Sequence, residues 1–279
     1  MDSESFTDAA LVLLGHGTTQ NEDSATPVYL HSAELRRRKM FSEVREAFWK
    51  QDPQVKQVLA TVSARRVFIV PLFISEGYFS REVIPRELGF AGDLRLQTPD
   101  SSLFYCQPIG TLNSMTNVLL ARARDVVQQF PFPRSPKPKD LTLFIAGHGT
   151  ERSDNSRKAI ERQVELIRAK DIYAAVHAIF LEELPRIAAC YQIAQTKNIV
   201  IVPFFISDGL HTREDIPVLL GEPERIVNQR LKSGQPTWRN PTEKNGKLVW
   251  YSAAVGSEPR IADLILERVR EACRLQVEG

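Results

Sequence analysis

The chain repeats itself. Leu14-Gly15-His16-Gly17-Thr18 returns as Ala146-Gly147-His148-Gly149-Thr150, and Val70-Pro71-Leu72-Phe73-Ile74-Ser75-Glu76-Gly77 returns as Val202-Pro203-Phe204-Phe205-Ile206-Ser207-Asp208-Gly209, both at one offset of 132 residues. Phe48 and Phe180, Pro53 and Pro185, and Pro85 and Pro217 keep that register. A duplication of this length means that one folding unit is present twice. The two copies can be compared within one chain, and where their chemistry differs, the difference shows which copy works.

At 279 residues the chain is long enough for two domains, each with its own core. A formal net charge of +2 gives no electrostatic reason to expect nucleic acid as a partner. The basic run Arg36-Arg37-Arg38-Lys39 reads as a solvated helix face, with an anion-binding patch as the alternative. Cys106, Cys190 and Cys273 are far apart in sequence, which excludes a local zinc knuckle or redox pair. Without a disulfide framework, a reducing cytoplasm is the expected location. The polar start Met1-Asp2-Ser3-Glu4-Ser5 is unlike a signal peptide. No apolar run approaches the roughly 20 residues that span a bilayer, so no membrane partner is expected. The oligomeric state is left as monomer or homodimer.

Apolar runs at Ala10–Leu14, Val67–Phe73 and Leu103–Cys106 predict buried strands in the first copy. Leu141–Ala146, Ile172–Phe180, Ile199–Phe205 and Leu248–Ala254 predict them in the second. Phe41–Trp49 is ambiguous alone, but its counterpart Tyr173–Leu181 reads as a strand, and the repeat makes both strands. Helices are expected at Tyr29–Lys39, Thr116–Phe130, Asn155–Lys170, Pro185–Thr196, Thr212–Leu220 and Pro259–Leu275, with Thr212 as an N-cap. The alternation predicts an α/β fold of two tandem domains, each a mainly parallel β-sheet flanked by helices. The expected boundaries are 1–130, a proline-rich linker at 131–139, and 140–279. The second copy carries an insertion around Gly221–Lys247, expected to be a long surface excursion.

Ligands of an open parallel sheet sit beyond the carboxyl ends of its strands. His148, Glu182 and His211 follow the first, second and third strands of the second copy, so all three fall on one rim. Two imidazoles and a carboxylate suit a divalent transition metal, and they suit proton transfer near neutral pH. Each also has a plainer reading: a hydrogen-bonding histidine after a strand, or a solvated turn at Glu182-Glu183. In the first copy His16 is kept, while Lys50 stands at the position of Glu182 and Phe79 at that of His211. That copy is expected to keep the fold and lose the metal chemistry. His31 and His177 lack counterparts and are expected to be structural or exposed. A phosphatase reading of Gly-His-Gly lacks the arginine that would hold phosphate.

Gly-His-Gly-Thr, Phe-Leu-Glu with a following proline, and Val202–Pro217 together resemble the CbiX-type class II chelatases, the sirohydrochlorin cobalto- and ferrochelatases, in their tandem two-domain form. The resemblance covers most of both copies. It implies insertion of Co2+ or Fe2+ into sirohydrochlorin or a related tetrapyrrole, without ATP, in cobalamin or sirohaem biosynthesis. It implies His148, Glu182 and His211 as metal and catalytic residues. It implies no permanent cofactor, with Co2+, Fe2+ or Ni2+ as metal substrate. The first copy departs from the family at Val83, where the second has Asp215. Arg81, Arg152 and Arg213 are candidate partners for substrate carboxylates, with solvated surface charge as the alternative. A non-catalytic carrier of metal or tetrapyrrole is the alternative function.

Overall fold

A computed structural model describes residues 5–18, 24–90, 92–150 and 154–274. The chain forms two compact units: Met1–Leu112 with Pro259–Gly279, and Asn113–Glu258.

The first unit contains β1 (Phe6–Gly15), α1 (Thr26–Arg38), β2 (Phe41–Phe48), α2 (Val55–Leu59), β3 (Arg66–Pro71), α3 (Ile84–Glu87), β4 (Arg95–Gln97) and β5 (Ser102–Tyr105). Its sheet has the order β2-β1-β3-β5-β4, parallel except for the hairpin edge β4. In the interior strand β1 the stretch from Ala9 to Leu14 is an unbroken apolar run, and Leu11 to Leu14 are wholly buried, as expected where both sheet faces are covered.

The second unit begins with α4 (Met115–Gln129). It continues through β6 (Leu141–Gly147), α5 (Asn155–Arg168), β7 (Ala175–Phe180), α6 (Cys190–Ile193), β8 (Asn198–Pro203), α7 (Ile216–Leu219), α8 (Glu224–Lys232), β9 (Thr242–Lys244) and β10 (Lys247–Tyr251). Its sheet order, β7-β6-β8-β10-β9, repeats that of the first. The register repeats as well: Leu14 pairs with Pro71 as Ala146 pairs with Pro203. Ile160, Val164 and Ile167 form the buried stripe that seats α5 on this sheet. Trp250, Phe144, Phe180 and Phe204 are among the largest fully buried side chains, each contributing about 1.5–3 kcal/mol by leaving water.

Several expectations change. The compact units do not follow the repeat boundaries 1–130 and 140–279. Helix α4 lies in the second unit, and α9 (Ile261–Arg274) lies in the first, against α1 and β3. Amphipathic spacing reveals a helix and its apolar face, but not which sheet that face will cover. Each sheet has a fifth, antiparallel strand, because three-residue edges such as β4 and β9 carry too little pattern to be seen. The helix expected over Pro185–Thr196 is only a 3-10 turn at Ile187–Ala189 followed by α6. Thr212 is not an N-cap: it lies inside a π-turn, His211–Asp215, that runs into α7. The Gly221–Lys247 excursion contains α8 and β9, and it buries Val227 and Trp238 in the core. No helix among the described residues is long and apolar enough to cross a membrane.

Candidate functional site

In the second unit, β6 runs out at Gly147 and the chain turns sharply at Gly149, whose φ of +65° favours glycine. The turn presents His148. The backbone then ties His148 to the end of β7: the N–H groups of Leu181 and Glu182 both donate to the His148 carbonyl at 3.0 Å. Glu183 is not part of a solvated turn. It accepts from the Thr150 N–H and from Arg157, fixing the loop from beneath.

His148 Nδ1 lies 2.6 Å from the Gly149 carbonyl. A carbonyl only accepts, so Nδ1 carries the proton and Nε2 keeps its lone pair. That Nε2 is 3.7 Å from Glu182 Oε1. His211 stands on the π-turn, and its Nδ1 donates to Asp215 Oδ2 at 2.6 Å, which likewise leaves Nε2 as the basic nitrogen. The two imidazole rings are 5.0 Å apart between centroids and inclined at 80°. Single-turn π segments recur at functional sites because the widened turn re-aims side chains. Here the Tyr251 hydroxyl holds the turn by donating to the Thr212 carbonyl at 2.7 Å.

His148, Glu182 and His211 line one cavity of about 350 Å³ together with Glu214, Asp215 and Glu224. Four carboxylates around two imidazoles give the cavity a negative field suited to a cation. The three expected residues are therefore brought together, but not as a finished cage. Among the described residues no three His, Cys, Asp or Glu side chains are grouped closely enough to hold a metal ion. The sequence reading missed Glu214 and Glu224, and it noticed Asp215 only as a motif letter. Its spacing from His211, four residues on one turn, was the available signal. Glu224 had none, since it comes from the insertion.

The first unit builds the same scaffold with other side chains. His16 Nδ1 lies 2.9 Å from the Gly17 carbonyl, and the Lys50 N–H donates to the His16 carbonyl at 2.9 Å. Phe79 stands on the matching π-turn, Phe79–Val83, edge-on to His16 with centroids 6.4 Å apart. Lys50 Nζ sits over the Phe79 ring, 5.5 Å from its centroid. The His16 pKa is held below its ordinary value, first by desolvation and further by the Lys50 charge, against the opposing bond to Gly17. Lysine and phenylalanine remove two of three potential metal donors. Arg81 and Arg213 are exposed on the two π-turns, and Arg152 lies outside the described residues. His31, expected to be structural or exposed, is buried in α1, and His177 is half-buried against Phe144.

The family model CbiX matches residues 10–126 and again 142–272. A probable sirohydrochlorin cobaltochelatase of Halobacterium salinarum is 40% identical, over 94% of this chain and 91% of its own length. A sirohydrochlorin cobaltochelatase of Methanopyrus kandleri is 29% identical over 47% of this chain and 96% of its own length, so it corresponds to a single copy. Among solved structures, a multi-domain Deinococcus radiodurans protein with structural similarity to chelatases superposes with a TM-score of 0.76 at 26% identity. That match covers 95% of this chain, which spans 55% of the Deinococcus protein.

Proposed function

The chain belongs to the CbiX family, and from that premise we propose that it is an ATP-independent chelatase that inserts Co2+ into sirohydrochlorin. His148, Glu182 and His211 of the second unit receive the metal. The observation that carries this reading is the pair of imidazoles 5.0 Å apart, each with Nδ1 engaged as a donor, and with Nε2 left to meet a cation.

Insertion exchanges one M2+ for two pyrrolic protons. The ion must be bound well enough to be positioned and weakly enough to leave. A closed cage of four ligands would hold it as a structural metal does. Two nitrogens and a nearby carboxylate on an open cavity fit a metal substrate better. As the ion moves to the macrocycle, the vacated Nε2 lone pairs and the Glu182 carboxylate can accept the departing protons. Asp215 fixes the tautomer and orientation of His211, as carboxylates behind metal-binding histidines do. Imidazole and carboxylate donors also accept Fe2+ and Ni2+, so the same cavity extends to those metals.

The test is an absorbance assay of metal insertion with Co2+, Fe2+ and Ni2+. The wild-type chain accelerates insertion of at least Co2+, and His211→Ala abolishes the acceleration. Stoichiometric binding without acceleration would identify a carrier instead. Full activity in the His211→Ala variant would remove the second-unit site from consideration.

A further inference from the structure

Two adjacent carboxylates follow β7, and they are held differently. The Glu182 side chain is 55% exposed and lines the cavity, whereas that of Glu183 is only 13% exposed. Glu183 is gripped by Arg157, which comes from the first turn of α5. The same guanidinium donates to the Leu184 carbonyl at 2.7 Å and to Glu161 at 3.1 Å. It lies over the buried Phe180 ring, 4.4 Å from the centroid. One side chain therefore braces the segment Phe180–Leu184, and Glu182 sits within it.

The first copy shows what this brace is not needed for. At the repeat positions of Arg157 and Glu183 it has Ala25 and Gln51. The Gln51 side chain accepts from the Thr18 N–H at 2.9 Å, as Glu183 accepts from the Thr150 N–H. A neutral amide thus suffices to hold the turn after the histidine. The ring of Phe48, the counterpart of Phe180, meets Tyr29 there, with centroids 5.6 Å apart. The charged clamp is present where the segment carries a carboxylate donor and absent where it carries Lys50. A planar guanidinium suits this task, because its fork is rigid, bonds several acceptors at once and stacks on a ring.

We propose that Arg157 is a positioning residue for the metal donor Glu182: by holding Glu183 and the Leu184 carbonyl against the Phe180 ring, it keeps the Glu182 carboxylate beside His148 Nε2. The two are 3.7 Å apart, close enough for one ion to meet both. The proposal rests on the chelatase reading and adds to it a residue that touches neither the ion nor the macrocycle.

The experiment follows Co2+ binding through the visible absorbance of the bound ion, alongside steady-state Co2+ insertion and titration of metal-free sirohydrochlorin. Arg157→Ala raises the Kd and KM for Co2+ about tenfold, within the range for groups standing behind metal ligands. It leaves the Kd for sirohydrochlorin at the wild-type value. Arg157→Lys keeps the charge but lacks the fork, and its Kd for Co2+ lies between the two; it carries the comparison if Arg157→Ala does not fold. Glu183→Gln reproduces the first copy's residue and shares the defect, and the double variant is no worse than either single one, because the two form one clamp. The deciding readout is the Glu182→Ala background. There Arg157→Ala weakens Co2+ binding no further, whereas an arginine that serves only the fold would weaken it equally in both backgrounds. Wild-type Co2+ binding in both Arg157 variants, or an equal loss in the two backgrounds, would overturn this proposal and leave the chelatase reading standing. A wild-type chain that binds Co2+ without accelerating insertion would overturn the chelatase reading, with the clamp still read through Co2+ binding. A wild-type chain that binds no Co2+ would overturn both.

Discussion

His211 donates from Nδ1 to Asp215 Oδ2 at 2.6 Å across one widened turn. In the other copy the same two positions are Phe79 and Val83, so that copy has neither the imidazole nor its carboxylate. A histidine facing a metal without a fixed tautomer spends part of its time with the proton on the wrong nitrogen. Asp215→Asn, which keeps the shape but loses the charge, should lower Co2+ insertion by about 10- to 100-fold, the usual range for partners behind a metal-binding histidine. The loss should appear largely in the dependence on Co2+ concentration, with sirohydrochlorin affinity retained. Steady-state kinetics with each substrate varied in turn measures this.

The shared scaffold allows the converse experiment. Since Lys50, Phe79 and Val83 occupy the repeat positions of Glu182, His211 and Asp215, the triple variant K50E/F79H/V83D should gain metal affinity in the first unit. Equilibrium dialysis should find about one more Co2+ per chain than wild type at saturation, with an unchanged far-ultraviolet spectrum. The V83D variant alone should gain none, because the proposed histidine and glutamate donors would still be missing. If the triple variant folds and binds no more cobalt than wild type, the two sheet ends are not equivalent in the way their backbones suggest.

Much of this arrangement was legible because the repeat supplied what single segments lacked. Phe41–Trp49 is ambiguous alone, its repeat counterpart Tyr173–Leu181 resolved it, and both segments hold strands, β2 and β7. His148, Glu182 and His211 could be placed on one rim because parallel strands all end on the same side. Three things stayed hidden. The association of α4 with the second unit and α9 with the first depends on which sheet receives an amphipathic face, and no local pattern encodes that. The π-turn is one residue wider than a helical turn, below what periodicity resolves, and so Thr212 looked like a cap. Glu224 reaches the cavity on α8, inside an insertion whose prolines and glycines suggested only a loop.

A pair of tyrosines distinguishes the two copies energetically. Tyr251 and Tyr105 end the corresponding strands β10 and β5, and both side chains are buried. The Tyr251 hydroxyl donates to the Thr212 carbonyl at 2.7 Å, whereas the Tyr105 hydroxyl has no hydrogen-bond partner among the described residues. Removing one half of a buried hydrogen bond leaves the other half unsatisfied, whereas removing an unpaired buried hydroxyl relieves a penalty. Tyr251→Phe should therefore cost about 1–2 kcal/mol, and Tyr105→Phe should be neutral or stabilising. Urea unfolding of the two variants against wild type decides it. Equal destabilisation by both would contradict the assignment. Only Tyr251→Phe should also lower activity, because it releases the turn that carries His211.

His177 yields a pH prediction of defined sign. It stacks on Phe144 with centroids 5.5 Å apart, and its Nε2 has no hydrogen-bond partner among the described residues. Its pKa is held below the ordinary histidine value, first by burial and then by the Arg168 charge. The folded chain thus resists a proton that the unfolded chain accepts. Above the unfolded value of about 6.5 both states are neutral here, and the group costs nothing. As pH falls below that value, the unfolded state binds the proton first, and stability is lost until the lowered folded pKa is reached. His177→Phe keeps an aromatic ring against Phe144 and removes the titration. Its stability should fall less steeply than wild type between neutral pH and pH 5, with the two curves converging above pH 7 apart from a constant offset. Urea unfolding at half-unit pH steps gives the comparison, and parallel curves throughout would mean that His177 takes up its proton equally in both states.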